Sequence, residues 1–193
     1  MWASTFPLDK EMVFCIYYHL SGEVMKEEDM EDLCFELGRP SFTPHKPSEM
    51  FMKGSLVELK HTLVQKMDEF GEDSLFSWNI KCTLMPKDNT HKYPGIFFNK
   101  DSMPQPTPFI RSEISKKDFS LITGRIHSLI VKRSTITVKE VEVNVIVYLR
   151  PKKIEYEFEK RNVAREKVVL PIRYVIFQPV KIKIFDEIVT IKN

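Results

Sequence analysis

The residues of this chain that can do chemistry are scattered rather than clustered. Cys15 and His19 are four apart, a spacing that shares one face of a helix or of a strand and suits two ligands of a metal. A four-ligand zinc site needs a second close pair. Cys34, Cys82, His45, His61, His91 and His127 supply none and form no HxxxH or HExxH pattern. The plainer reading is a core cysteine beside a tyrosine-flanked histidine. Cys82 with His91 or His127 can meet in space as nucleophile and base, yet nothing singles the pair out and no Gly-X-Ser-X-Gly elbow occurs. The expectation is no catalytic residue, no metal and no cofactor.

Charge is more informative. Residues 1–108 carry 11 Lys+Arg and 17 Asp+Glu, a net −6, whereas residues 109–193 carry 18 and 10, a net +8. The whole-chain value of +2 hides this split. An asymmetry of this kind reads as a basic surface for an anionic partner, or as two complementary faces on one molecule. The acids concentrate in Glu27, Glu28, Asp29, Glu31, Asp32 and Glu36. They form either an acidic docking face or the solvated side of an amphipathic helix, and they lack the spacing and central glycine of a calcium loop. The bases are Lys132, Arg133, Arg150, Lys152, Lys153, Arg161, Arg165, Lys167, Lys181 and Lys183. They fall at strand ends or on polar strand faces. Brought together, they would bind phosphate by counterion release without reading sequence. Held apart, they make cross-strand ion pairs on a solvated sheet. No Arg/Lys-Gly-Phe stacking motif occurs, which disfavours an RRM-type reader.

The elements that must position these residues follow from periodicity. Val141, Val143, Val145, Val147 and Leu149 alternate with polar residues, as do Ile154, Tyr156 and Phe158 with Glu155, Glu157 and Glu159. Val168, Leu170, Ile172, Tyr174 and Ile176 continue the pattern, and Val180, Ile182 and Ile184 alternate with Lys181 and Lys183. Period-2 patterning over so many segments predicts an antiparallel sheet with one wet face. Pro151 and the 161–165 region read as turns, and Pro171 as an edge or bulge. Residues 75–85 and 119–132 read as strands, the second bent at Gly124, and 95–98 as a short strand. Residues 11–20, EMVFCIYYHL, read as a buried strand with a short helix as the alternative.

Two helices are expected. Met30, Leu33, Cys34 and Leu37 space one over 25–37, closed by Gly38. Leu56, Leu59, Leu63, Met67 and Phe70 space the other, opened by a Ser55–Glu58 capping box or further back near Glu49. The fold class is therefore α+β: one domain over 1–193, with an antiparallel sheet of about five to seven strands, mainly C-terminal, and two amphipathic helices packed on it. Residues 1–85 form an acidic, helix-containing half and 109–193 a basic β-rich half. Between them, 86–108 holds five prolines. Its 103–109 stretch resembles either a semi-rigid linker or a pre-extended docking peptide.

The opening residues lack a basic n-region, no apolar run approaches the ~18 residues that span a bilayer, and the three cysteines are widely spaced. These favour an intracellular, cytoplasmic protein, with the nucleus left open. The function expected is non-enzymatic: an assembly or adaptor protein, of the self-associating kind exemplified by viral matrix proteins, though that likeness is one of size and charge alone. Its partner would be a protein or another copy of itself, or else nucleic acid or an anionic membrane surface; no small-molecule substrate is evident. The alternatives are a sequence-nonspecific nucleic-acid binder and a Cys/His enzyme in a cleft beside the 86–108 loop.

Overall fold

The computed structural model describes residues 4–37, 49–71, 73–85, 95–97, 103–132, 141–163, 166–185 and 187–191. In chain order the elements are β1 (Thr5–Pro7), α1 (Lys10–Ser21), α2 (Glu27–Glu36), α3 (Glu49–Asp68), β2 (Leu75–Met85), β3 (Gly95–Phe97), β4 (Ile110–Ile114), α4 (Lys116–Lys132), β5 (Val141–Val163), β6 (Glu166–Ile184) and β7 (Glu187–Thr190). The α+β class stands. The seven strands form one sheet in the order β1-β2-β5-β6-β4, with β3 pairing β2 and β7 pairing β6. Most pairs are antiparallel; β1–β2 and β4–β6 are parallel.

Two expected strands are helices. Residues 11–20 lie in α1, which is buried from Met12 to Tyr18. A helix buried all round has no polar face, so its sequence has no 3.6-residue signature to separate it from a core strand. Asp9 caps it, accepting from Met12 N at 2.7 Å, and Gly22 ends it in the left-handed region at φ 65°. The second is α4. Its buried Ile122, Ile126, Leu129 and Ile130 recur at helical spacing. Ser115 and Asp118 form its N-terminal box: Asp118 N donates to Ser115 Oγ at 3.1 Å, and that hydroxyl donates back to the Asp118 carboxylate at 2.7 Å. Gly124 lies in the helix rather than at a bend. The helix α3 starts at Glu49, so Ser55 and Glu58 sit inside it and do not cap it.

The C-terminal segments join into two long strands. Pro151 is not a turn: β5 runs through it. The β5–β6 register shifts between Tyr148 and Leu149 and again between Pro151 and Lys153, leaving Val180 and Lys152 as the extra residues of two bulges. A bulge tolerates the missing proline N–H, so alternation breaks while pairing continues. Pro171 matches its expectation, because β4 pairs β6 only from Arg173 onward and leaves Pro171 on an edge. The outermost β5–β6 pair is Val163 with Glu166.

One face of the sheet supplies the core. Phe76, Trp78, Ile80 and Cys82 of β2, Val143 to Leu149 at alternate positions of β5, and Val175, Phe177, Ile182 and Ile184 of β6 join one apolar cluster with residues of all four helices. Across the core runs a buried ion pair. Asp29 of α2, 5% exposed, accepts both terminal nitrogens of Arg173 on β6, one at 2.8 Å, and also the Tyr18 hydroxyl. The guanidinium lies over the Tyr17 ring, 5.2 Å from its centroid. Burial works against the Arg173 charge, but the Asp29 hydrogen bonds outweigh it and hold the group protonated. This pair fixes α2 to the helix side of β6.

The proline-rich 103–108 stretch is neither a linker nor an open peptide. Met103 and Thr107 are buried, and the Gln105 side chain acts as a short surrogate strand. Its amide nitrogen donates to Ser112 O at 3.3 Å and its oxygen accepts from Ser112 N at 3.3 Å. The outer edge of β4 is thereby closed to pairing.

Candidate functional site

Register decides where the basic residues go. Along β2 the buried Phe76, Trp78, Ile80 and Cys82 alternate with Ser77, Asn79, Lys81 and Thr83, so the latter point to the face opposite the main apolar core. Pairing extends that face across the sheet. Ser77 is opposite Tyr148, then Lys181, then Thr190; Asn79 is opposite Ile146, then Lys183, then Ile188; Lys81 is opposite Asn144. Arg150, opposite Gln178, follows on the same side, and Lys153, opposite Ile176, comes next. Asn79, Lys81, Asn144, Arg150 and Lys153 are exposed, while Tyr148, Lys181 and Lys183 are half-buried. Among the described residues no helix covers this central strip.

Of the ten basic residues singled out in sequence, Arg150, Lys153, Lys181 and Lys183 therefore share one open face. Lys152 stands on its rim, in the β5 bulge. Lys167 does not join them: it pairs with Asn162 near the far end of the β5–β6 ribbon, on the other face. Arg161 pairs with Val168 in the same ribbon and Lys132 ends α4. Arg133 and Arg165 lie outside the described residues. Lys81 was missed by sequence reasoning, although the alternation of β2 carries the signal that finds it.

The nearby acids only partly neutralise this strip. Arg150 lies 3.7 Å from the largely exposed Asp73, and Lys153 pairs with Glu155. Solvent and salt screen such exposed pairs to little net energy, which leaves the cations available to an incoming anion. Beyond Lys153 the same face turns acidic, with Glu155, Glu157 and Glu159 in successive outward positions, Glu159 lying 3.7 Å from Arg111.

The acidic cluster lies on the other side of the molecule, and one member leaves it. Asp29 is not a docking residue, because it is buried against Arg173 and Tyr18. Glu27 and Glu28 are exposed; Glu31, Asp32 and Glu36 are half-buried. Lys10 ties down Glu36, donating to its carboxylate at 2.7 Å and to its main-chain carbonyl at 3.1 Å, which also caps the negative end of α2. Burial and the neighbouring carboxylates of Asp29, Glu36 and Glu28 raise the Asp32 pKa above the ordinary carboxylate range.

The thiols are placed for packing. Burial pushes Cys15 up to about 12 and Cys82 up to about 11, the reverse of an activated nucleophile. The Cys15 thiol donates to Leu63 O at 3.5 Å, whereas His19, four residues on, is exposed against the Phe70 ring. Among the described residues no three His, Cys, Asp or Glu side chains converge as metal ligands, and no helix is long and apolar enough to cross a membrane. A cleft of about 530 Å³ opens at the β4 edge, between Glu36, Gln105, Arg111, Glu113 and Tyr174. Compared with known proteins, the chain matches no family model, no curated protein and no solved structure.

Proposed function

We propose that this chain is a non-enzymatic assembly protein of the cell interior that holds an extended polyanion on its open sheet face and makes protein contacts from its helix side. The observation that carries the reading is the shared face of Lys81, Arg150, Lys181 and Lys183, interleaved with Asn79, Asn144 and Tyr148. Strands lie about 4.8 Å apart and residues on one face repeat about every 6.6 Å. Cations on such a grid meet successive phosphates of an extended strand, while amide and hydroxyl side chains donate or accept between them. Its cations meet the backbone phosphates, so affinity comes from charge and is sequence-indifferent. Single-stranded RNA of mixed sequence is the simplest probe.

The test is a binding titration by fluorescence anisotropy at roughly 50 and 200 mM salt, the range over which phosphate contacts weaken steeply. The parent should bind with a steep salt dependence. Lys181→Glu with Lys183→Glu should reduce the log–log salt slope by about 1.4, the value for two lost contacts on a single strand. Lys117→Glu on the exposed start of α4 should leave both affinity and slope unchanged. Parent binding that ignores salt would end the polyanion reading.

A further inference from the structure

The ribbon formed by β5 beyond Lys153 and β6 before Arg173 leaves the sheet. Among the described residues β6 here pairs with β5 alone, because β4 pairing starts at Arg173 and β7 pairs only from Lys181. One side of this ribbon leaves large apolar residues exposed. Tyr156, Phe158, Val169 and Pro171 face the helix side of the molecule but extend past it: Phe158 is 72% exposed, Tyr156 53% and Val169 52%. A two-stranded ribbon is marginal in water unless an apolar face is covered. The other side carries Glu155, Glu157 and Glu159 from β5 opposite β6 residues that are already shielded, Ile172 buried and Leu170 half-buried.

The ends of the apolar stripe carry opposite charge. At its root Tyr156 donates to Glu23 at 3.4 Å, and the root segment 23–28 holds Glu23, Glu27 and Glu28 against Lys26 alone. Val24, 79% exposed, adds apolar surface there. Towards the tip the same side carries Lys160, opposite Val169, and Lys167, opposite Asn162, both exposed. The stripe is thus acidic, apolar and basic in sequence along its length. A two-fold axis through the neighbourhood of Phe158 lays such a stripe on a second copy of itself, apolar centre on apolar centre and basic tip on acidic root. From Tyr156 to Lys160 the strand rises about 13 Å, so tip and root meet across a contact of ordinary side-chain dimensions.

We infer that this ribbon is the self-association arm of the protein, pairing two-fold with the same arm of a second copy. The inference rests on the assembly reading above and supplies its protein contact; it uses different residues from the polyanion strip, so the two can fail separately. The occupant is a second copy rather than an unrelated partner because the complementary charges are both present on one chain and two-fold symmetry aligns them.

The test is sedimentation of the full chain across micromolar to millimolar concentration. The parent should form dimers. Phe158→Asp should weaken dimerisation by about tenfold or more, as expected for the central apolar anchor of an interface, while retaining the parent circular dichroism and RNA affinity. Lys160→Glu with Lys167→Glu should weaken it too, and adding Glu27→Lys with Glu28→Lys should restore it. A parent that stays monomeric throughout, or a dimer indifferent to Phe158→Asp, would overturn the arm assignment. Dimers that survive the first charge pair, or that the swap fails to restore, would overturn the two-fold register. Loss of RNA binding in a monomeric Phe158→Asp chain would assign the stripe to the polyanion instead.

Discussion

Asp32 carries a charge that the fold disfavours. It lies one turn from Glu28 and Glu36 and close to Asp29 on the same helix, and burial adds to the repulsion. Its folded pKa is raised above the unfolded value, so the native state binds this proton more readily. The carboxylate therefore costs stability at neutral pH, and the cost disappears as pH falls through the raised pKa. Asp32→Asn should accordingly be more stable than the parent at neutral pH by roughly 0.5 kcal/mol, the scale of like-charge neighbours on a helix. The advantage should shrink as pH is lowered through the carboxylate range. Urea midpoints at a series of pH values measure this, and an advantage that grows on acidification would refute the assignment. Residue types at this scale were legible in the sequence and their pairing was not. Asp29 belongs by composition to the acidic face, yet its partner Arg173 is 144 residues away. Only the tertiary fold tells a buried carboxylate from its solvated neighbours.

Elements were legible where one side meets water. The polar positions of α2, α3, β2, β5 and β6 carry a period, and each of these segments reads correctly in outline. The failures have physical causes. α1 is buried on every side and so has no period to read. In α4, β-branched residues and Gly124 lower helix propensity enough to mimic a bent strand, and the capping box at Ser115–Asp118 is the signal that outweighs them. Pro151 suggests a turn but sits beside a bulge, where the strand continues. The helical state of α4 has a direct consequence. Gly124 is exposed, and a Cβ built there meets nothing within 4 Å. Gly124→Ala should therefore stabilise the protein by up to ~1 kcal/mol through helix propensity. A destabilised Gly124→Ala, measured by thermal or urea unfolding, would contradict the helix.

At the scale of the whole molecule, the charge split between sequence halves does not map onto one face each: the open face is basic around Lys81, Arg150, Lys181 and Lys183 and acidic at Glu155, Glu157 and Glu159. β2, from the acidic half, contributes Lys81 to the basic side, while Asp29 of the acidic cluster turns inward to hold α2 against β6. The sheet thus separates an open basic strip from the acidic helix α2. A basic and an acidic group of residues were legible in composition; their placement was not, because it depends on strand register and on two bulges that reset which residues face outward.

The most direct test of that separation is lysine reactivity read by mass spectrometry, with and without mixed-sequence single-stranded RNA at low salt. The account predicts that RNA shields Lys81, Lys181 and Lys183, while Lys26, Lys60 and Lys117 on the helices and their approaches react as before. Shielding of the helix-side lysines with Lys81, Lys181 and Lys183 unchanged would contradict it.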